Sequence, residues 1–578
     1  MKRRGTSITS VQPVSHSCHV LVLGGGLAGC MAAIRAAELD DQVILLDKSN
    51  PERSGCAATG IDHIWAYFPE IQEAEGVSLD DLVQDHVENI AKGLINRKIL
   101  HYIAETSLDR ILDLERFGAR IRYDDSTLPG RFRLQYQLHR CRNTLHFDGR
   151  DVKRLLVRAA RARGVEILGR IMVADLLIRD GQIAGAVGYG TRDGRLHLFR
   201  SKAVVMATGR PNRLYKTETG LAFNTRMPPA LTGDGKAAMF RAGAEIINME
   251  FVSIPGRWSS KNLVRGGGLP GGSYQPPGIG LNAFGEVIRP RNHELESYGE
   301  KWQGTSTGTG TGRTFMSELK AGRGPIFADM SWGSEADQEY MRWALSNEGS
   351  GSALLHLMDR YNLDFRRHKI EISPLEPEHS AAAAGGPIID SNCQTTLPGL
   401  FAAGDEAGGI PQSVVPGALT MGYLAGESAA RFARKIRTMP DGDGADLVSD
   451  FCRQIISRKR GDSWEDAQAA LQNVMSYYNC EIKSETMARR GLENLSYLKD
   501  AMRLVARNPH EMAHCLEVRN LIECAEMILR ATIERRESRY GLLRRADFPE
   551  RDDENFFCFL AQRKEKGRVV FEKRFPEA

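Results

Sequence analysis

The residues with the clearest chemical potential form a glycine-rich stretch, Gly24-Gly25-Gly26-Leu27-Ala28-Gly29, followed further along by a single acid, Asp47. In such a stretch Gly24 makes a tight turn, Gly26 lets backbone N–H groups approach a pyrophosphate, and Gly29 lets a helix pack on a strand. A carboxylate about 20 residues further on can accept hydrogen bonds from a ribose. The spacing predicts dinucleotide binding, and an ordinary glycine-rich turn in another α/β protein is the alternative.

These residues need a strand, a turn, a helix and a second strand to position them. The apolar run at residues 20–23 precedes the glycines, small residues follow at 30–37, and a second apolar run at 43–46 ends in Asp47. The pattern predicts a βαβ unit whose helix directs its positive N-terminal end at the pyrophosphate.

Length, charge and cysteine usage exclude several classes of protein. The chain has 578 residues, which allows several domains, and its net charge of +4 comes from basic residues spread along the chain, which argues against a nucleic-acid partner. No apolar run approaches the roughly 20 residues of a membrane-spanning helix. The ten cysteines include no CxxC pair, which leaves no self-contained iron–sulfur motif and predicts reduced thiols in a cytoplasmic protein.

The order of elements predicts an α/β fold with several domains. Glycine, proline and aromatic residues are frequent from residue 251 to 369, which indicates an inserted domain, whereas residues 445–539 have helical periodicity. The predicted boundaries are 18–250 and 370–435 for a discontinuous dinucleotide-binding domain, 251–369 for the insert, 445–539 for a helical domain and 540–578 for a polar C-terminal tail.

Four motifs in order now carry a resemblance to a known family: the first glycine turn, Ala207-Thr208-Gly209, Thr232-Gly233-Asp234-Gly235 and Leu400-Phe401-Ala402-Ala403-Gly404-Asp405. Together they resemble the succinate dehydrogenase/fumarate reductase flavoprotein family, over about residues 18–557. Residues 537–539, 546–555 and 372–377 look most like the adenylylsulfate reductase alpha-subunit branch. The resemblance implies a Rossmann-like FAD-binding domain with an inserted α+β capping domain and a C-terminal helical domain.

The resemblance also implies FAD as the cofactor. In succinate dehydrogenases a histidine bonds covalently to FAD, but the matching position here is Gly55, so we expect non-covalent FAD. The residues expected to contact it are Gly24, Gly26, Leu27, Ala28, Gly29, Asp47, Lys48, Arg53, Ser54, Gly55, Gly60, Ala207, Thr208, Gly209, Asp234, Gly404, Asp405, Ala418 and Leu419. Ala418 and Leu419 are expected to begin a helix whose N–H groups and dipole favour an anionic reduced flavin.

Two residues match catalytic positions of the family. Arg265, within Val264-Arg265-Gly266-Gly267-Gly268, resembles its active-site arginine loop, and His379 matches an active-site histidine. The alternatives are a solvated loop arginine and an ordinary polar histidine. Because arginine stays protonated, Arg265 acts electrostatically unless a relay supplies its proton. Trp258 could stack on an adenine or on the flavin, although simple core packing is the favoured interpretation.

The sequence departs from the dicarboxylate-binding members of the family at two anchors. Ile254 stands where a substrate-binding histidine is expected, and residues 412–417 lack the arginine that precedes the last helix. A buried dianion without such partners costs several kcal/mol, on the order of the penalty for an unpaired charge. These departures argue against succinate or fumarate. No metal is predicted, because His139, Cys141 and His146 match no standard zinc spacing.

Three functions stay open. The leading hypothesis is an oxidoreductase resembling the alpha subunit of adenylylsulfate reductase, with a small anionic substrate and chemistry at flavin N5. Its expected electron partner is a small ferredoxin-like iron–sulfur protein. The second hypothesis is a fumarate-reductase-like enoate reductase or dehydrogenase of a small carboxylate. The third is a non-catalytic flavin subunit that relays electrons. Homo- and hetero-oligomers both remain open.

Overall fold

The structure is a computed structural model of the whole chain. It describes residues 13–40, 42–91, 93–136, 141–217, 225, 227–253, 258–260, 279–289, 315–331, 334–347, 349–374, 378–379, 385–410, 414–539 and 543–576. Within these ranges, no helix has the length and apolar character needed to cross a membrane.

The strands, in chain order, are β1 (Val14–Leu23), β2 (Val43–Asp47), β3 (His63–Trp65), β4 (Leu134–Tyr136), β5 (Arg142–His146), β6 (Glu166–Gly169), β7 (Ile171–Arg179), β8 (Gln182–Gly190), β9 (Leu196–Met206), β10 (Ile246–Ile247), β11 (Val252–Ser253), β12 (Trp258–Ser260), β13 (Ile279–Leu281), β14 (Val287–Arg289), β15 (Ile326–Asp329), β16 (Ile370–Pro374), β17 (Glu378–His379), β18 (Gly386–Pro387), β19 (Leu400–Ala402), β20 (Ile482–Lys483), β21 (Arg544–Arg545), β22 (Phe559–Glu565) and β23 (Arg568–Arg574).

The α-helices, in chain order, are α1 (Leu27–Ala37), α2 (Pro69–Gln72), α3 (Leu79–Asp85), α4 (Arg97–Arg116), α5 (Val152–Ala162), α6 (Asp234–Arg241), α7 (Phe315–Lys320), α8 (Glu335–Ser346), α9 (Gly349–Arg360), α10 (Val414–Lys435), α11 (Ala445–Ser457), α12 (Trp464–Tyr478), α13 (Glu485–Ala501), α14 (Pro509–Glu534) and α15 (Asp553–Phe556).

A seven-stranded sheet forms the centre of the FAD-binding domain. Its strand order is β6-β2-β1-β9-β8-β7, and β19 also pairs with β9. β6, β2, β1, β9 and β19 are parallel, whereas β7 and β8 form the antiparallel edge. The carboxyl ends of β1, β2, β9 and β19 therefore meet at one edge, where ligands bind in open α/β sheets.

Small residues let two helices pack closely over this sheet. α1 lies against α10, and a Cβ added at Gly422 or Gly426 would overlap the carbonyl oxygens of Ala28 or Ala32. This close packing fixes the N-terminal end of α1 above the end of β1. The sequence prediction of the βαβ unit agrees with the structure in element type and order.

The inserted domain has a five-stranded antiparallel sheet in the order β12-β16-β15-β13-β14. β16 pairs with both β12 and β15, so residues 370–374 belong to this capping sheet. The predicted end of the insert, residue 369, lies directly before this strand. Its boundary follows strand pairing, which local composition does not reveal.

The C-terminal segment is more ordered than a polar tail. β22 and β23 form a hairpin that joins β10 and β18 in a four-stranded sheet with the FAD-binding domain. The predicted tail at 540–578 therefore includes a strand pair that closes the core around Phe559 and Ala561. Residues 445–539 contain the predicted helices, α11 to α14.

Candidate functional site

The first glycine turn forms a cradle at the N-terminal end of α1. Gly24 has φ +101°, and a Cβ there would overlap the carbonyl oxygen of Ala207. A Cβ at Gly29 would overlap the carbonyl oxygen of Gly24, whereas a Cβ at Gly26 would meet nothing within 4 Å. Gly26 precedes the first helical residue and provides no side-chain cap. Protein atoms therefore leave no space for a side chain at Gly24 or Gly29, whereas the space beside Gly26 is open.

The N–H groups at this helix start are the natural ligands of an anion. The first N–H groups of a helix lack intrahelical acceptors, and those of Leu27, Ala28 and Gly29 lie in this first turn. A Cβ added at Gly26, the residue that precedes these N–H groups, would meet no protein atom within 4 Å. These positions suit the pyrophosphate contacts predicted from the sequence.

Asp47 ends β2 beside the cradle. Its Oδ2 accepts the Gly25 N–H at 2.8 Å and its Oδ1 accepts the Ser49 N–H at 2.6 Å. Each carboxylate oxygen retains a further lone pair, because a carboxylate offers about four acceptor sites. The acid therefore holds the glycine turn and can still accept a ribose hydroxyl.

Residues 54–60 lie alongside the cradle. The Ser54 hydroxyl donates to the Gly25 carbonyl oxygen at 3.2 Å, and a Cβ at Gly55 would be 3.0 Å from the Gly26 Cα. Gly55 and Gly60 have φ +75° and +107°. The segment thus follows the cofactor cradle closely at a turn that favours glycine. The side chain of Arg53, one residue before it, is exposed.

The turn that follows β9 (residues 207–209) and the turn that follows β19 (residues 403–405), hereafter the second and third glycine turns, meet through one buried carboxylate. Glu406 Oε2 accepts the Thr208 N–H at 2.8 Å and the Thr208 hydroxyl at 2.5 Å, and that hydroxyl accepts the Gly235 N–H at 3.0 Å. Lys236 Nζ donates to the carbonyl oxygens of Asp405 at 2.9 Å and Glu406 at 2.7 Å. Glu406 and Lys236 therefore join the ends of β9, β19 and α6.

Glu406 and Lys236 were not among the residues predicted from the sequence. Both side chains have no exposed surface, and Nζ lies 3.7 Å from Oε1. Burial raises the pKa of Glu406 against the lowering effect of Lys236, and burial lowers the pKa of Lys236. Lys236 directly follows the motif Thr232–Gly235, and Glu406 directly follows the motif Leu400–Asp405. Extending each motif by one residue would therefore have found both.

Asp405 faces the open side of the same turn. Its Oδ2 accepts hydrogen bonds from Arg210 Nε at 2.9 Å and Nη2 at 2.7 Å, and the Cys56 thiol lies 3.8 Å away. Asp405 remains 30% exposed on its side chain, whereas Arg210 is buried. Residues 54–60 and the third glycine turn are thereby brought together, and Arg210 is a further residue that the sequence prediction missed.

The other turn residues lie at the ends of β9 and β19. Ala207 and Thr208 follow β9 directly, and Gly209 has φ +86°. Gly404 has φ +67°, and a Cβ there would be 3.0 Å from the Ala28 Cβ. The ends of the parallel strands thus gather the predicted glycine turns around the N-terminus of α1.

The side chains of Lys48 and Asp234 bond to each other and to neighbouring residues of α14. Lys48 Nζ donates to Thr232 Oγ1 at 2.6 Å, to Asp234 Oδ2 at 2.7 Å and to Glu517 Oε1 at 2.9 Å. Asp234 Oδ1 also accepts from Asn520 at 2.9 Å. An ammonium has three protons, so this contact set uses the donors of Lys48 within the protein. The two side chains join the FAD-binding domain to α14.

Ala418 and Leu419 lie farther inside their helix than predicted. α10 begins at Val414, so the Ala418 N–H falls in the range that bonds to a carbonyl four residues earlier. The start of the helix was set too late because Pro416-Gly417 resembles a helix boundary in sequence. Ala418 still lies beside the third turn, since a Cβ at Gly404 would be 3.6 Å from the Ala418 Cβ.

A two-stranded ribbon connects the FAD-binding and capping domains. β11 leads into the cap and β17 leads out of it, and the two pair antiparallel with Val252 opposite His379. The backbone of His379 is therefore at the junction of the two domains. The predicted residues Arg265, Ile254 and Gln412 lie outside the described part of the chain. The backbone of Trp258 lies in β12, opposite Pro374.

The cradle fits the cofactor that the motifs predict. An uncapped helix start, an open position at Gly26 and an acid at the end of β2 are the features that a dinucleotide needs. Three glycine turns also gather at the ends of parallel strands along this edge of the sheet.

Comparison with known proteins agrees with this geometry. Residues 19–309 match the family described as FAD binding domain, and residues 468–574 match the one described as fumarate reductase flavoprotein C-term. The chain is similar to one of the subunits of fumarate reductase (CoM/CoB) from Methanothermobacter marburgensis, with 26% identity over 96% of this chain and 99% of the relative.

Two further similarities extend over nearly the whole chain. The alpha subunit of adenylylsulfate reductase from Megalodesulfovibrio gigas is 24% identical over 99% of this chain and 97% of the relative. The solved adenylylsulfate reductase of Archaeoglobus fulgidus superposes with a TM-score of 0.83 at 24% identity, covering 98% of this chain and 97% of that one. The prediction of FAD is confirmed, and the chain belongs to the FAD-binding flavoprotein family that includes the fumarate reductase, succinate dehydrogenase and adenylylsulfate reductase flavoprotein subunits, as an FAD-dependent oxidoreductase.

Proposed function

We propose that the chain is the flavoprotein subunit of an enzyme that oxidises or reduces a small anionic substrate, with chemistry like that of adenylylsulfate reductase. The observation that carries this proposal is the β11–β17 ribbon, because it brings His379 to the junction of the FAD-binding and capping domains. Domain junctions are common places for small-molecule sites. Arg265 is the second catalytic candidate, and it contributes positive charge toward the anion.

FAD supplies two-electron redox chemistry at its ring when it is bound. The chain's own residues then bind and orient it. The helix start after Gly26 holds the pyrophosphate, Asp47 holds a ribose, and Asp405 with Arg210 lines the path between the first and third turns. Because Gly55 stands where succinate dehydrogenases have their covalent histidine, we propose that FAD is held non-covalently.

The charge pattern supports a small anion other than a dicarboxylate. Ile254 replaces an expected histidine anchor, and residues 412–417 lack an expected arginine. One arginine and one histidine suit a singly or doubly charged group such as sulfite, since charge-assisted hydrogen bonds stabilise its oxygens. A small unsaturated carboxylate is the second candidate, because a relative of 26% identity is named a fumarate reductase subunit.

A partner must carry the electrons onward. The ten cysteines of the chain include no CxxC pair, and the two relatives are named as subunits of larger enzymes. We therefore propose a small iron–sulfur protein as electron partner. Full activity of the purified chain with a soluble acceptor, and no faster reaction when its natural partner is added, would argue against this assignment.

An anaerobic titration with sulfite separates the two substrates. Under the leading proposal, sulfite bleaches the flavin absorption near 450 nm, and AMP restores it only when a soluble electron acceptor is also present, because formation of adenylylsulfate from the adduct leaves two electrons on the flavin. A lack of response to sulfite and AMP, with rapid reoxidation of the reduced protein by an α,β-unsaturated acid, would favour the carboxylate. Arg265→Ala is expected to remove either response, and unchanged turnover in that variant would favour a non-catalytic flavin subunit.

A further inference from the structure

A second group of ionisable side chains follows directly after the segment that lies along the FAD cradle. Asp62 and His63 come two and three residues after Gly60, at the start of β3. Backbone hydrogen bonds fix this position, because Ile61 N–H donates to the Gly149 carbonyl oxygen at 3.3 Å and Phe147 N–H donates to the Asp62 carbonyl oxygen at 3.0 Å. The chain therefore passes from the cofactor segment into this group without a flexible connection.

Asp62 and His63 form a carboxylate–imidazole pair. His63 Nδ1 lies 2.5 Å from Asp62 Oδ1, the Asp62 side chain is 1% exposed, and the His63 side chain is 32% exposed. A buried carboxylate that accepts the Nδ1 proton fixes the tautomer of the ring and leaves Nε2 as the basic nitrogen. This is the arrangement of a histidine that takes up and returns protons.

On the side of β5, aromatic rings lie next to the pair. The His146 ring lies 5.7 Å from the His63 ring, and the Tyr340 ring meets His146 edge-on at 5.8 Å. Burial and the neighbouring His63 lower the pKa of His146 to about 3, so it stays neutral. Burial raises the pKa of Asp62, but the charge of His63 and its hydrogen bond to the carboxylate together lower that pKa by more, so the carboxyl is ionised.

The capping domain closes over this group. Tyr340 and Trp343 belong to α8, and Trp343 meets Tyr123 of the FAD-binding domain edge-on at 5.5 Å. The Arg133 guanidinium lies 4.1 Å from the Tyr123 ring and 4.3 Å from the Trp343 ring. A guanidinium close to two aromatic rings is attracted to both, which stabilises the contact between Tyr123 and Trp343. Asp62 and His63 thus lie where the two domains meet, beside the cofactor segment.

We propose that His63 is the acid–base residue of the site and that Asp62 positions it. This role rests on the proposed function. With an acidic oxyanion such as bisulfite, the substrate O–H bond breaks, its electron pair stays on oxygen, and the proton forms an N–H bond at His63 Nε2. Asp62 balances the positive charge of the resulting imidazolium. In the opposite direction the same N–H returns its proton to the product.

A surface pair on the same domain provides a matched control. His101 Nε2 lies 3.4 Å from Asp80 Oδ1, with side chains 41% and 83% exposed. His63→Gln and Asp62→Asn are therefore compared with His101→Gln and Asp80→Asn. FAD content and the urea midpoint of each protein establish that the variants fold and hold the cofactor.

The first readout is chemical and needs no turnover. Diethylpyrocarbonate modifies neutral histidines, so the rate of His63 modification, followed by peptide mass spectrometry, rises with pH. In Asp62→Asn the midpoint of that rise moves down by about one to three pH units, since a neighbouring opposite charge favours the protonated ring. His101 modification in the wild type and in Asp80→Asn is followed in the same way as the exposed comparison. An unchanged His63 midpoint would overturn the positioning role of Asp62.

The second readout is the pH profile of the anaerobic reaction with substrate. His63→Gln lowers the rate at neutral pH about 100-fold or more and removes one ionisation from the profile, as expected for loss of a proton-transfer group. An unchanged rate and profile in His63→Gln would overturn the catalytic role. If the wild-type protein reacts with no anion, both the proposed function and the catalytic role of His63 are overturned. If the wild-type protein reacts and His63→Gln reacts equally fast, only the role of His63 is overturned.

Discussion

Arg535 Nε donates to Glu250 Oε1 at 2.6 Å, and neither side chain has any exposed surface. Glu250 stands two residues before the ribbon strand β11, and Arg535 follows the last residue of α14. The Arg535 guanidinium also lies 4.9 Å from the Phe251 ring. The C-terminal domain therefore holds the base of the connection to the capping domain.

Replacing Arg535 with methionine tests this connection. The change leaves the carboxylates of Glu250 and Glu537 without their shared partner, since Arg535 Nη1 also donates to Glu537 at 2.9 Å. Breaking a buried pair costs about 3–5 kcal/mol. Urea unfolding should show that loss, whereas Arg536→Met, at an exposed neighbour, should change stability by less than about 0.5 kcal/mol. Equal effects of the two variants would contradict the assigned role.

Two glycines in the cradle should respond differently to alanine. In Gly29→Ala the new Cβ overlaps the Gly24 carbonyl oxygen, so the protein is destabilised by about 1–3 kcal/mol and loses FAD. In Gly26→Ala the Cβ meets no protein atom, so the urea midpoint is kept. FAD affinity, measured by titrating the apoprotein, should still fall about 10-fold or more, because the methyl obstructs the anion-binding N–H groups. Unchanged affinity in Gly26→Ala would contradict the placement of the pyrophosphate.

The buried histidine His146 predicts a specific pH dependence of stability. Burial, and then the charge of His63, lower its pKa to about 3 in the folded chain, whereas an unfolded histidine has a pKa of about 6.5. Between these values the unfolded chain binds the extra proton, so the free energy of unfolding falls by about 1.4 kcal/mol per pH unit as pH decreases. His146→Gln should reduce this slope between about pH 6.5 and about pH 4, measured by urea unfolding at a series of pH values.

Glu517 holds several cations together at the junction with α14. It accepts from Lys48 at 2.9 Å and from His514 at 2.7 Å, and it pairs with Arg213. Burial raises the pKa of Glu517, but Arg213, Lys48 and His514 together lower it well below its usual value. Its contribution is therefore complete at neutral pH and is lost as pH falls below the unfolded value.

Glu517→Gln should accordingly destabilise the protein by about 3–5 kcal/mol at pH 7, measured by urea unfolding, because buried cations lose their carboxylate. Glu526→Gln is the matched control on the same helix. Glu526 Oε1 lies 2.8 Å from Lys499 Nζ in a partly exposed ion pair. Loss of that pair should lower the free energy of unfolding by less than about 1 kcal/mol. A loss of similar size in both variants would argue against a buried charge network around Glu517.

Local patterns in the sequence predicted the FAD-binding βαβ unit, because glycine spacing and apolar runs are set by neighbouring residues. The FAD assignment followed from motifs in a fixed order, and the family match confirms it.

Pairings between distant residues could not be predicted in this way. The ribbon joins residues 252–253 to 378–379, and the hairpin of β22 and β23 joins β10, so neither leaves a local pattern. The contacts of Lys48 with α14 depend on a segment far along the chain, which is why its side chain was assigned to the cofactor. Asp62 and His63 are adjacent in sequence, but their place beneath α8 depends on the inserted domain.

The most direct test of the central claim is anaerobic reoxidation of the reduced flavoprotein by a panel of small anions, followed by the return of flavin absorption. We predict rapid reoxidation by adenylylsulfate, with sulfite and AMP as products, and a large loss of rate in Arg265→Ala. Rapid reoxidation by fumarate alone, or no reoxidation by any anion in the panel, would contradict the proposed function.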